Sequence, residues 1–208
     1  MKKQIDIESW VRKDHFKFFS QFEEPFFGIT VSVDCTKAYD FCKANGHSFF
    51  LYYLYQSLRA VNETENFRYR IINGEVYEYQ VVNASPTINR ANGTFGFSYI
   101  PWKENFDEFL ISANQEIEKV RAEKGLIPAL SGENIIHYSS IPWLKFTSIT
   151  HARAFSFPDS IPKITFGKAS VDNGKMQMPV SIHGHHGLMD GYHVALYVEK
   201  FQKYLNNQ

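Results

Sequence analysis

The chain has 208 residues, 44% of them hydrophobic and 21% charged, enough to bury one large core and too apolar for a disordered polypeptide. Lysine plus arginine and aspartate plus glutamate number 22 each, so there is no net positive field, and no basic run, to hold a nucleic acid. A single domain over 1–208 is the organisation these values predict.

The first ten residues carry two lysines but no apolar run behind them, which argues against a secretory signal. The most hydrophobic stretch, Phe49 to Leu58, is too short to span a bilayer. Cys35 and Cys42 form no CxxC motif and read as free thiols of a cytoplasmic protein. The 19 Phe and 12 Tyr exceed what a routine core needs, and some of them are expected to line an apolar cavity or a subunit interface.

Taken in order, Ser9 is a plausible N-cap for a helical turn running through Val11 to Phe19. Phe26 to Asp34 alternates with period two and is read as a strand. Thr36 then caps a short helix to Asn45, which Gly46 ends in the left-handed conformation. Phe49 to Glu63 is apolar almost all round, as a helix buried on most of its surface must be. Asn73-Gly74 between two alternating runs predicts a tight hairpin. Residues 83–92 read as loop and irregular strand, and Thr94 to Ile100 as a strand that Pro101 stops.

Phe106, Phe109, Leu110, Ala113, Ile117 and Val120 fall on one helical face, and Gly125 caps that helix. Ile141 to Ile149 is read as a further strand, and Lys163 to Ser170 with Lys175 to His183 as a second hairpin. From Gly191 a closing helix places Val194, Tyr197, Val198, Phe201, Tyr204 and Leu205 on one stripe. Helices mixed with hairpins predict an α+β two-layer sandwich of mixed β-sheet and helices, and not a doubly wound nucleotide fold. Neither GxGxxG nor GxxxxGK[ST] is present.

The stretch from Ser181 to His193 is the chemical centre of the sequence, with four of the eight histidines and Asp190 at the passage from a strand to the last helix. An imidazole there suits proton removal near neutral pH. Successive strand side chains alternate, so His185 and His186 must face opposite ways, one of them toward a working cavity. Rival readings are a metal site of His183, His185, Asp190 and His193, a hydrolase triad, and a cluster that only packs. No HExxH, Cys-rich spacing or GxSxG elbow supports the first two, and no metal is expected.

His185-His186-Gly187-Leu188-Met189-Asp190-Gly191-Tyr192-His193 resembles the HHxxxDG[FY]H signature of the type A chloramphenicol acetyltransferase family. The blocks Trp10 to Phe16, Pro142 to Ser148 and Ile164 to Lys168 resemble further family blocks in the same order, so the likeness covers essentially the whole chain. It implies a CoA-dependent acyltransferase fold and transfer of acetyl from acetyl-CoA to a hydroxyl of chloramphenicol or a similar small alcohol. A non-catalytic trimer that binds an aromatic ligand is the alternative.

Under the resemblance, His186 is the general base, its tautomer held by its own backbone carbonyl. Asp190 is a structural anion paired with Arg12, Ser148 donates to the oxyanion, and Thr165 holds a water near it. Phe18, Phe19, Phe26, Phe27, Phe95, Phe97, Phe146 and Phe157 are candidates for the acceptor wall. The family implies a homotrimer with active sites between subunits, the histidine from one chain and the serine from its neighbour. His183 and Gly184 stand where Gln and an aliphatic residue are usual, and a glycine there is expected to loosen the strand before the pair.

Overall fold

A computed structural model describes residues 1–126, 132–154 and 158–207. Its main sheet has the strand order β2 (Phe26–Asp34), β10 (Lys175–His185), β8 (Lys163–Phe166), β7 (Ile135–Ser140), β5 (Asn83–Asn89), β6 (Phe95–Phe97), with β9 (Ser170–Asp172) also on β10. β5, β7 and β8 run parallel to one another and the remaining pairs are antiparallel, so the sheet is mixed. A separate three-stranded sheet has the order β1 (Lys2–Gln4), β4 (Glu75–Tyr79), β3 (Tyr69–Ile72). The two-layer α+β arrangement agrees with the expectation from the sequence.

Helices α2 (Thr36–Asn45), α3 (Phe49–Asn62), α4 (Phe106–Ala122) and α5 (Gly191–Asn206) pack with the main sheet, while the short α1 (Lys13–Phe19) precedes β2. α3 is the centre of the core, with Leu54, Leu58, Ala60 and Val61 fully buried. Burial of each such leucine contributes roughly 1.5–3 kcal/mol. Ser57 is buried too, and its hydroxyl bonds to Tyr138 at 3.1 Å and Tyr197 at 2.7 Å, which joins α3, β7 and α5 without an unpaired hydroxyl.

The Asn73-Gly74 turn forms as read, and Asn173-Gly174 makes a like turn between β9 and β10. Asn73 and Gly74 have φ of 52° and 81°, and Asn173 and Gly174 49° and 77°, the positive pair that a two-residue hairpin needs. Gly46 ends α2 with φ of 67°. Thr36, however, is the first residue of α2 and not its cap: Cys35 holds the N-cap position, and Asp34 Oδ1 before it accepts the Thr36 amide at 3.0 Å and the Thr36 hydroxyl at 2.7 Å.

Four local expectations are corrected. Ser9 does not cap α1, because its hydroxyl is held by Asp6 at 2.8 Å and the helix begins at Lys13. α4 ends at Ala122, and Gly125 lies beyond it with φ of 80°. Residues 83–89 form a regular strand, in which Pro86 is tolerated and its carbonyl accepts from the Ser98 hydroxyl at 2.6 Å. Residues 141–149 are not a strand; that strand is β7, immediately before them. The Ile141 amide donates to Phe166 at 2.8 Å, and Pro142, which has no amide hydrogen, stands where the chain turns away.

One face of the main sheet carries the helices and the apolar core, including Ile164, Phe166, Val180 and Ile182. The residues alternating with them on β8 and β10 are polar, among them Lys163, Thr165, Ser181 and His183. Thr165 and Ser181 are nevertheless 0% and 1% exposed. The second face of the sheet is therefore buried and polar at once, and it is there that the chemistry lies.

Candidate active site

β10 delivers the histidine-rich stretch. His183 stands opposite Gly28 and His185 opposite Phe26 on β2. The His185 ring meets Phe26 edge-on at 5.8 Å, whereas His186 lies parallel to Phe19 at 4.0 Å and against Phe27 at 4.6 Å. Phe26 and Phe27 are successive residues of one strand and face opposite ways, so the two imidazoles diverge as alternation requires.

The backbone of the following turn is held from several sides. Pro25 accepts the His186 amide at 2.8 Å, and the Leu188 and Met189 amides both bond to the His185 carbonyl. His185 Nδ1 accepts the Gly187 amide at 3.1 Å. Arg12 reaches across from the start of α1, Nη2 to the His186 carbonyl at 3.1 Å and Nη1 to Asp190 Oδ2 at 2.8 Å. The carbonyl expected to hold the imidazole of His186 thus receives a guanidinium, and His186 Nδ1 is buried without a hydrogen-bond partner.

Asp190 does a second job as the N-cap of α5. Its carboxylate accepts the Tyr192 amide at 3.0 Å, and His193 Nδ1 accepts the Asp190 amide at 3.2 Å, a reciprocal cap in which histidine takes the place of glutamate. Burial raises the Asp190 pKa, but the Arg12 hydrogen bond, the charges of His193 and Arg12 and the Tyr192 amide outweigh it and leave the carboxyl below its ordinary value. Asn66, a residue without any signal in the sequence, donates to the Leu188 carbonyl at 2.8 Å and completes the clamp.

The segment that carries Ser148 runs past β8 and β10, with Phe146 beside Gly167 and the Ile149 backbone bonded to His183. Ser148 is exposed in the irregular segment after β7 and makes no hydrogen bond to a described residue. The serine in register with Thr165 is Ser139 on β7, and Ser181 and Thr30 continue the same row across β10 and β2. Thr165 Oγ1 is buried and unpartnered, which leaves it free to hold a water or substrate atom. Reading β7 from the β-branched pair Ile135-Ile136 would have placed Ser139 on this face.

Two cavities meet at the end of β7. Thr87 lines both, Ser139 faces one and Ser140 the other. The first, of about 460 Å³, has walls of Phe49, Tyr53, Ile117 and Met178, with the exposed cations Arg121 and Lys168 at its edge. The second, of about 350 Å³, is lined by Phe97, His137, His151, Arg153, Asp159 and Lys163. Burial, then the charge of Lys163, lowers the His137 pKa to about 4, and burial, then His183, lowers that of His151 to about 4. Both rings are neutral at pH 7.

The aromatic candidates do not form one wall. Phe97 lines the second cavity, and Phe19, Phe26 and Phe27 gather around the histidine pair. Phe18 is 57% exposed against Phe19 and Phe22, and Phe95 is exposed against Phe97. Phe146 packs beside Gly167, where a Cβ would lie 2.9 Å from its ring. Phe157 lies outside the described residues. Neither of the two cavities that meet at β7, nor the one of about 500 Å³ lined by His185, has His186 in its wall. Among the described residues no three His, Cys, Asp or Glu side chains are grouped to hold a metal ion, and no helix is long and apolar enough to cross a membrane.

The mixed sheet with helices on one face is a fold that this chain shares with solved acetyltransferases. The dihydrolipoamide acetyltransferase of Azotobacter vinelandii superimposes with a TM-score of 0.66 over 93% of this chain and 86% of its own, at 17% identity, a likeness of fold. Residues 2–202 match the family described as chloramphenicol acetyltransferase, and the chain belongs to that family. A chloramphenicol acetyltransferase of Bacillus pumilus is 33% identical over 96% of this chain and 91% of the relative. Chloramphenicol acetyltransferase 3 of Escherichia coli is 26% identical over 99% and 97%. A solved chloramphenicol acetyltransferase covers 99% of this chain and all of its own at 36% identity, with a TM-score of 0.92. The chain is an enzyme, an acetyltransferase.

Proposed function

We propose that the protein transfers acetyl from acetyl-CoA to a hydroxyl of chloramphenicol or a similar small alcohol, in the cytoplasm, as a homotrimer with its sites between subunits. His186 acts as general base. The alcohol oxygen attacks the thioester carbonyl as its proton passes to the imidazole, and the tetrahedral oxyanion is met by a hydroxyl donor. Collapse expels the CoA thiolate, which takes the proton back. Ser139, beside Thr165, is a better placed donor than the exposed Ser148. Arg12 and Asp190 act on the base by holding its turn.

The observation that carries this reading is the clamping of His186 between Phe19 and Phe27 on a backbone fixed by Arg12. An imidazole held this firmly is oriented before the alcohol arrives, as a general base must be. The cavity of about 460 Å³, apolar within and cationic at its rim, suits the pantetheine arm of acetyl-CoA with its phosphates outside. His186→Ala is expected to abolish thiol release while acetyl-CoA still binds. Transfer near the wild-type rate by that variant would overturn the assignment, and the absence of thiol release from the wild type with any alcohol would favour the non-catalytic aromatic-ligand-binding trimer.

A further inference from the structure

The cavity of about 460 Å³, which the proposed reaction gives to the pantetheine arm of acetyl-CoA, is walled by Phe49, Phe50, Ile117, Pro142 and Met178. Such an arm carries amides and a thioester, and a polar group taken out of water against an apolar wall costs free energy unless it finds a partner. One polar pair interrupts this lining. Tyr53 of α3 and Ser140 at the end of β7 both face the cavity, and their hydroxyl oxygens are 2.9 Å apart.

The ring of Tyr53 is held on three sides. It meets Phe49 and Phe50 edge-on at 5.1 and 5.7 Å and Phe166 of β8 at 4.6 Å, and it is 5% exposed. Burial pushes its phenol pKa up to about 12, so the group is a neutral hydroxyl near pH 7. Two hydroxyls bring two hydrogens, and the bond between them uses one. Whichever of the pair donates, the second hydrogen is bonded to no described residue. What matches a pair with one hydrogen to spare is an acceptor that brings none of its own, and an amide carbonyl is such a group.

The place of the pair along the cavity selects the amide. Ser140 follows Ser139, whose side chain faces the neighbouring cavity, so the pair stands where the two cavities meet. Ser139 is the oxyanion donor of the reaction proposed above, and the end of the arm that reaches the pair is therefore the end that bears the thioester.

We infer that Tyr53 and Ser140 together donate their spare hydrogen to the carbonyl oxygen of the pantetheine amide nearest the sulfur, and so set how far the thioester enters. The inference rests on the acetyl-transfer reading and adds to it a binding contact for the cosubstrate. Neither hydroxyl takes part in moving the proton.

The test is the binding of CoA, and of adenosine 3′,5′-bisphosphate, which lacks the pantetheine arm, to the wild type, Tyr53→Phe, Ser140→Ala and the double variant. Thiol release from acetyl-CoA with chloramphenicol is measured beside it. Phenylalanine keeps the ring among Phe49, Phe50 and Phe166 and removes only the hydroxyl. The double variant is expected to bind CoA about three- to tenfold more weakly, with the single variants between it and the wild type, while the bisphosphate binds all four alike. Its KM for acetyl-CoA should rise by the same factor, and by more than kcat falls. An unchanged Kd for CoA in the double variant, or an equal weakening of CoA and of the bisphosphate, would overturn the inference and leave acetyl transfer standing. A wild type that binds no CoA and releases no thiol would remove the transfer reading and this inference together.

Discussion

The side chain of Met189 fills the space above Gly184: a Cβ at position 184 would lie 2.2 Å from Met189 Sδ and 2.8 Å from its Cγ. Met189 is 1% exposed and belongs to the main core, so it has little room to move aside. The glycine before the histidine pair is therefore a seat for the residue before Asp190, and it tightens the strand end that it was expected to loosen. Gly184→Val is expected to cost roughly 1–3 kcal/mol by overpacking and Met189→Ala about 2–5 kcal/mol by leaving a cavity. Urea unfolding of Gly184→Val/Met189→Ala should show the double variant losing less than the sum, by about 0.5–3 kcal/mol; strict additivity would remove the contact as an explanation.

Ser139→Ala and Ser148→Ala separate two candidates for the oxyanion donor. Loss of one such donor costs about 10²–10³ in kcat in other enzymes. Steady-state turnover should fall by that order in Ser139→Ala with KM little changed, and should stay near wild type in Ser148→Ala, whose serine is exposed and unbonded. The opposite ranking would return the role to Ser148.

Arg12→Ala removes one guanidinium from both Asp190 and the His186 carbonyl. Since Asp190 keeps 30% of its side chain exposed, water compensates in part, and the expected cost is about 1–3 kcal/mol. A fall in kcat larger than the fall in substrate affinity would mark Arg12 as a positioning residue. Arg12→Lys should recover stability better than rate, because an ammonium cannot reach both oxygens in the same plane.

His137, His151 and His185 each have a pKa lowered from 6.5 to about 4, with burial the largest cause in every case. Below pH 6.5 the unfolded chain binds a proton at each of them while the folded chain does not until about pH 4. Stability is therefore full above pH 6.5 and falls as the pH drops toward 4, by up to about 1.4 kcal/mol per pH unit for each imidazole. Denaturant midpoints across this range should show that slope, and His137→Phe should reduce it by close to one proton. A flat profile between pH 7 and 5 would contradict the buried, neutral state of these rings.

Much of the architecture follows from local chemistry. The two Asn-Gly turns, the strand from Phe26, the enclosed helix from Phe49 and the closing helix from Gly191 are all dictated over short distances by positive φ, alternation or helical spacing. β5 and β7 are not legible in this way. They are parallel neighbours, short and interrupted by Pro86 or followed by Pro142, and their pairing is decided by segments far apart in the chain.

The amino-acid sequence by itself determined that the last strand ends in paired imidazoles pointing to opposite faces, and that a carboxylate follows at the start of the final helix, because strand period and capping are properties of neighbouring residues. Only the tertiary structure decided which serine stands in register with Thr165, that Asn66 and the second arm of Arg12 hold carbonyls of the histidine turn, and that Met189 needs a glycine at 184. It alone decided, too, that the buried face of the sheet is polar. Those outcomes depend on register between strands and on the space left between packed side chains, and neither is encoded within any one stretch of the chain.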